Sequence, residues 1–198
     1  MYATAIFVLA VPILAGLLHF TRRRSFRGVL LTKSSLSVLF VLTALTGPHG
    51  PGPYFALVLA GLLLCLAGDI LLVFPGRASF LAGLFAFLAG QVLYGTAFFT
   101  LASPGPLTWA SAALCIPLSG GFFLWLRPHL GKMMPPVLAY IAIITTMVVS
   151  AATLMGEGGL DAGGRRLALA GAVLFYLSDL FVARNRFVKE AFVNRLIG

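Results

Sequence analysis

Apolar runs of about twenty residues recur along the whole chain, separated by short segments rich in Pro, Gly or charge. At a rise of about 1.5 Å per residue, such a run crosses the ~30 Å hydrocarbon core of a bilayer. The pattern predicts seven helices, over residues 3–20, 28–46, 54–74, 78–101, 106–126, 133–155 and 166–184. Gly47-Pro48-His49-Gly50-Pro51-Gly52-Pro53, Pro75-Gly76, Ser103-Pro104-Gly105-Pro106 and Pro135-Pro136 fall where hydropathy dips, and these residue types do not continue a helix comfortably. The segment 156–164 is the longest polar loop. Connections this short predict one all-α, polytopic transmembrane helix bundle over residues 1–198, with no soluble domain. From Asn185 to Gly198, apolar Phe187, Val188, Phe192 and Ile197 stand among Arg186, Lys189 and Arg195, so 185–198 reads as an interfacial cytoplasmic tail.

Composition agrees. The 198 residues are 60% hydrophobic and 10% charged, against about 25% charged in a soluble domain. The net charge of +9 is unevenly placed. With the helix ends above, Arg22, Arg23, Arg24, Arg27, Lys33, Arg77, Arg127, Lys132, Arg184, Arg186, Lys189 and Arg195 fall on one side, and only Arg165 and Arg166 on the other. This asymmetry predicts an outside N-terminus and a cytoplasmic C-terminus, in the inner membrane if the cell is bacterial. The cations set topology and favour anionic headgroups; nucleic acid is not the partner they imply. Cys65 and Cys115 lie within helices and read as buried thiols, not a disulfide framework. The first helix lacks a basic leader region and a small-residue cleavage site, so it reads as a retained span.

Two of the five acidic residues interrupt apolar helix. Asp69 lies in GLLLCLAGDILLV (61–73) and Asp179 in GAVLFYLSDLFVA (171–183). Each follows a glycine by eight residues (Gly61, Gly171) and a small residue, Gly68 or Ser178, directly. An acidic side chain at helix centre costs roughly 2.5–3.5 kcal/mol on insertion scales, so such residues face a bundle interior or a wet cavity. Both predicted helices run inward, which sets each Asp about five residues, or roughly 7–8 Å, from the cytoplasmic end. Lys33 on the second helix and Tyr140 on the sixth share that level. Gln91 and Tyr94 on the fourth lie deeper. Gly83, Ala86, Gly90 and Gly95 make the fourth helix a close-packing partner.

His19, His49 and His129 fall at helix ends or in loops, and no His/Cys/carboxylate spacing resembles a zinc site. Neither a Gly-x-Ser-x-Gly elbow nor a phosphate-binding P-loop is present. The residues point to carboxylate acid–base chemistry without metal or cofactor. Paired intramembrane acids also serve proton-coupled carriers, or hold helices together in a lipid-binding scaffold. Both Asp helices run the same way and neither has Pro before its end, which disfavours a carrier of inverted repeats.

Specific runs carry a family likeness. Thr32-Lys33-Ser34 opens the second helix, GLLLCLAGDILLVFP is followed by FLAGLFAFLAGQVLYGTAFF, then PVLAYIAIITTMVVSA, and finally GAVLFYLSDLFVARNRF (171–187). Together they make the chain resemble the YhhN family of integral membrane proteins, whose characterised animal members are lysoplasmalogenases. The resemblance implies hydrolysis of the vinyl ether bond of a lysoplasmalogen, giving a fatty aldehyde and a glycerophospho-ethanolamine or -choline. It places the catalytic pair on Asp69 and Asp179. Lys33, Asn185 and Arg186 are candidates to hold the phosphate head, and Tyr94, Tyr140 and Ser178 to line the substrate. The implied partners are a lysophospholipid substrate and membrane lipid. Members often carry His where this chain has Gln91, which does not titrate, and usually an eighth helix after the Arg-Phe motif.

Overall fold

The structure, a computed structural model, describes residues 2–47, 50, 52–191 and 193–194. Seven α-helices account for nearly all of it: α1 (Tyr2–Arg22), α2 (Phe26–Thr46), α3 (Gly52–Val73), α4 (Arg77–Leu101), α5 (Pro106–Leu126), α6 (Met134–Thr153) and α7 (Ala162–Phe187). Short 3-10 turns at Arg127–His129, Gly131–Met133 and Leu154–Gly156 join the later helices. Among the described residues there is no strand. The expected helix order is found, and local chemistry sets the ends. Ser25 Oγ accepts the Gly28 N–H and caps α2. Pro106 opens α5, and Pro falls in the first turn of α6, where a missing N–H has no cost.

The seventh helix differs from expectation at both ends. It begins at Ala162 because Asp161 caps it, accepting the Gly164 N–H at 2.6 Å. Arg165 then ties the preceding loop down, its Nη1 donating to the carbonyls of Met155 (3.1 Å) and Glu157 (2.7 Å). Most of the expected tail start is helical as well, since α7 continues through Asn185 and Arg186 to Phe187. The Val188 and Lys189 N–H groups both donate to the Arg184 carbonyl, and Asn185 Oδ1 accepts from Ala191 N at 3.1 Å. His49 and the tail residues Phe192, Arg195 and Ile197 lie outside the described residues.

Helices α2 to α7 are long and apolar enough to cross a bilayer; the apolar part of α1 among the described residues, Val8–Arg22, is shorter. Large apolar side chains face outward along them, among them Leu31, Phe40, Leu114, Ile116 and Leu174. That is a surface for lipid rather than water. Both tryptophans of the chain lie on α5, exposed near its two ends as Trp109 and Trp125. Sixteen residues separate them, roughly 24 Å of helix, close to the spacing of two interfacial aromatic belts. The protein is an integral membrane protein.

The chain divides into two compact units, Met1–Leu93 and Tyr94–Gly198, the boundary falling within α4. In the first unit α3 and α4 approach closely through small residues. A methyl on Gly68 would come within 2.6 Å of the Phe87 ring, and one on Gly90 within 3.1 Å of Cys65 Sγ and of the Gly61 carbonyl. Gly68, directly before Asp69, is therefore a packing residue. In the second unit α6 is the central element, with Ile144, Met147, Ser150 and Ala151 buried. Leu126, Leu130, Val137 and Ile141 form a core there, against which Ala183 and Phe187 of α7 pack. Cys65 is buried, but Cys115 is only half-buried, between exposed Leu114 and Ile116 on α5.

Candidate active site

In the first unit, Asp69 sits four residues before the end of α3, facing α2. Lys33 Nζ stands 3.3 Å from its Oδ1. Ser37, one turn further along α2, donates its hydroxyl to Oδ2 in a short hydrogen bond. Lys33 and Ser37 are four residues apart and so share one face of α2. Each carboxylate oxygen thus receives its own donor, one a full positive charge and one a dipole. Both side chains of the ion pair remain partly accessible, Lys33 at 27% and Asp69 at 20%.

In the second unit, the buried Tyr140 of α6 donates its phenol to Asp179 Oδ2 at 2.5 Å. The core at Ile141 and Ala183 fixes α6 against α7 just beside this contact. Asp179 lies eight residues before the end of α7, not the five expected, because the helix runs on to Phe187. Tyr176, one turn earlier on α7, meets Ser119 Oγ at 2.8 Å, and Ser119 meets Thr145 Oγ1 at 2.6 Å. This hydroxyl cluster links α5, α6 and α7 one turn from Asp179.

The structure pairs Lys33 with Asp69 in the first unit and Tyr140 with Asp179 in the second. Ser178 is half-buried next to Asp179, and Tyr94 is half-buried on α4. Asn185 uses its side-chain oxygen to close the end of α7, while Arg186 beside it is exposed. Gln91 is fully buried on α4. Among the described residues, no three His, Cys, Asp or Glu side chains group as metal ligands would.

A sequence profile of the YhhN family matches residues 29–198. The chain belongs to the YhhN family. It is 32% identical over 164 residues to a lysoplasmalogenase of Mycobacterium bovis, covering 79% of this chain and 59% of the relative. Lysoplasmalogenase TMEM86A of Bos taurus is 31% identical over 158 residues, covering 75% of this chain and 63% of the relative. The human protein of that name is 30% identical over 156 residues, with the same coverage of each chain. The chain thus spans about three-fifths of the length of these curated relatives. No solved structure matches it.

Membership of the YhhN family agrees with the likeness carried by the two Asp segments. Three residues escaped the sequence reading: Ser37, Ser119 and Tyr176. Ser37 had a signal, since it lies one turn from Lys33. Ser119 had none, because a lone Ser in an apolar helix commonly bonds its own backbone.

Proposed function

We propose that this YhhN protein is a membrane-embedded hydrolase that cleaves the vinyl ether bond of lysoplasmalogens, using Asp69 and Asp179 as an acid–base pair. The observation that carries the reading is that both intramembrane aspartates are held by donors from a neighbouring helix, Asp69 by Lys33 and Ser37 and Asp179 by Tyr140. The relatives named lysoplasmalogenase supply the substrate class.

Vinyl ethers hydrolyse when a proton is delivered to the alkene carbon remote from the oxygen, leaving an oxocarbenium ion centred on the carbon bonded to the oxygen. A carboxylate stabilises that cation and takes a proton from the water that captures it. The hemiacetal so formed collapses to a fatty aldehyde and a glycerophospho-alcohol, and the proton balance closes. Asp69, gripped by an ammonium and a hydroxyl, is suited to the carboxylate role, which assigns proton delivery to Asp179 with Tyr140 orienting it. Tyr94 and Ser178 line the substrate path in this reading, and Arg186, with Asn185 beside it, offers one contact for the phosphate. The C-terminal side of α7 faces the cytoplasm, as the basic asymmetry implies; a reporter fused after Gly198 reads that side.

The test is direct. Purified protein in detergent is incubated with a lysoplasmalogen and with its ester analogue, with and without exhaustive chelation. Aldehyde released from the vinyl ether alone, and surviving chelation, supports the reading. Absence of aldehyde would defeat it, and loss restored by zinc would defeat the metal-free mechanism.

A further inference from the structure

Five arginines and two phenylalanines gather at one end of the first unit. Arg22 ends α1, Arg23 and Arg24 form the turn, Phe26 and Arg27 open α2, Phe74 follows α3, and Arg77 opens α4. The Phe26 and Phe74 rings meet edge to face with centroids 5.5 Å apart, which joins the α1–α2 turn to the α3–α4 turn. Both rings are nearly half exposed, Phe26 at 44% and Phe74 at 42%. All five arginines are exposed, and among the described residues none of them has a carboxylate within ion-pair reach.

Arg24 adds an independent observation. Its φ is 53°, and among the described residues no other non-glycine has a positive φ. Glycine or asparagine would adopt that conformation with less strain, yet the position carries a long cation.

Depth ties this end to the chemistry. Asp69 lies five residues before Phe74 and Lys33 six after Arg27, roughly 7–9 Å along the helices. In a lysoplasmalogen the vinyl ether oxygen and the phosphorus are separated by roughly 6 Å of glycerol backbone at ordinary bond lengths. A substrate with its vinyl ether level with Asp69 would set its phosphate at the level of the arginines. Lys33, already paired with Asp69, is poorly placed to serve the phosphate as well.

We propose that Arg24, Arg27 and Arg77 form a headgroup-reading site for the phosphodiester of the substrate, with the Phe26–Phe74 pair seating the glycerol above the apolar bundle. This rests on the hydrolase reading and deepens it, because it says which part of the lipid the enzyme selects. Guanidinium groups suit the task, since they grip phosphate oxygens in pairs where an ammonium offers a point charge.

The experiment compares wild type with Arg27→Gln/Arg77→Gln and Arg27→Lys/Arg77→Lys in detergent. Two substrates are used, an alkenyl-glycerophosphoethanolamine and the alkenylglycerol lacking the phosphate. Affinity for the non-cleavable alkyl analogues of both is measured in parallel. The preference for the phosphate-bearing lipid, as a ratio of kcat/KM and as a ratio of affinities, should fall about tenfold in the Gln pair. It should recover in part in the Lys pair, and the effect should shrink at high salt. An unchanged ratio, or equal losses on both lipids, overturns the proposal and makes the arginines general membrane contacts. Should wild type release aldehyde from neither lipid, the hydrolase reading falls, and the affinity ratio still decides this site.

Discussion

The two intramembrane aspartates are held in different ways. Asp69 meets a formal positive charge and a hydroxyl, both from α2, and stays partly accessible. Asp179 meets the phenol of Tyr140, a neutral donor from a mostly buried helix. Asp69 has an ammonium and a hydroxyl beside it, and Asp179 has a phenol. An ammonium holds a carboxylate by charge as well as by hydrogen bonding, whereas a phenol holds it by hydrogen bonding alone. Matched flanking sequence thus conceals different contacts on the neighbouring helices.

The largest test removes each carboxyl in turn. Asp69→Asn and Asp179→Asn should both leave folded protein and abolish nearly all aldehyde release, because an amide neither delivers the proton nor balances the cation. Acid–base groups typically contribute 10²–10⁴-fold. Retention of more than about a tenth of the wild-type rate in either variant would remove that residue from the pair.

Next comes the ion pair. If Lys33 serves Asp69, Lys33→Met should lower kcat by about 10- to 100-fold, the range for charge-assisted contacts, with a smaller change in KM. Lys33→Met combined with Asp69→Asn should then be no worse than Asp69→Asn alone, because the two residues act as one unit. A rise in KM with kcat intact would return Lys33 to the phosphate head. The dipolar contacts follow. Tyr140→Phe should cost about tenfold in kcat, and Ser37→Ala less, since Lys33 still holds the other oxygen of Asp69. Equal losses from the two would erase the distinction between the settings.

The helices were legible because an apolar run of bilayer length has few other solutions, and Pro and Gly mark their ends at Gly47, Pro106 and Pro135. The end of α7 was misjudged at Arg184 because Asn185 and Arg186 look like tail by polarity, yet their backbone continues the helix under Phe187, which packs on the Leu126 core. Asp69, Asp179, Lys33 and Tyr140 stood out because polar groups in apolar helix are costly and counting residues from the helix ends estimates their level. Ser37, Ser119 and Tyr176 did not stand out. Their partners lie on other helices, and pairing across helices depends on rotation about each axis, which hydropathy does not report when the helices are apolar on every side.

The smallest effect concerns the hydroxyl cluster of the second unit, one turn from Asp179. Thr145 Oγ1 donates its proton to the Ile141 carbonyl at 2.6 Å. Ser119 must then donate to Thr145, which obliges Tyr176 to donate to Ser119. The chain has one direction, from α7 through α5 to α6. Ser119→Ala removes its middle and leaves the Tyr176 phenol proton without its acceptor, a loss of about 1–3 kcal/mol. Tyr176→Phe removes only the first donor, leaves the Ser119–Thr145 bond intact and should cost about 0.5–1.5 kcal/mol. Thermal unfolding in detergent reads the order directly. Ser119→Ala should lower Tm more than Tyr176→Phe, and with Ser119 already gone Tyr176→Phe should add little. The reverse order would mean that the hydrogen bonds run the other way, with Tyr176 accepting and its own proton available on the face one turn from Asp179.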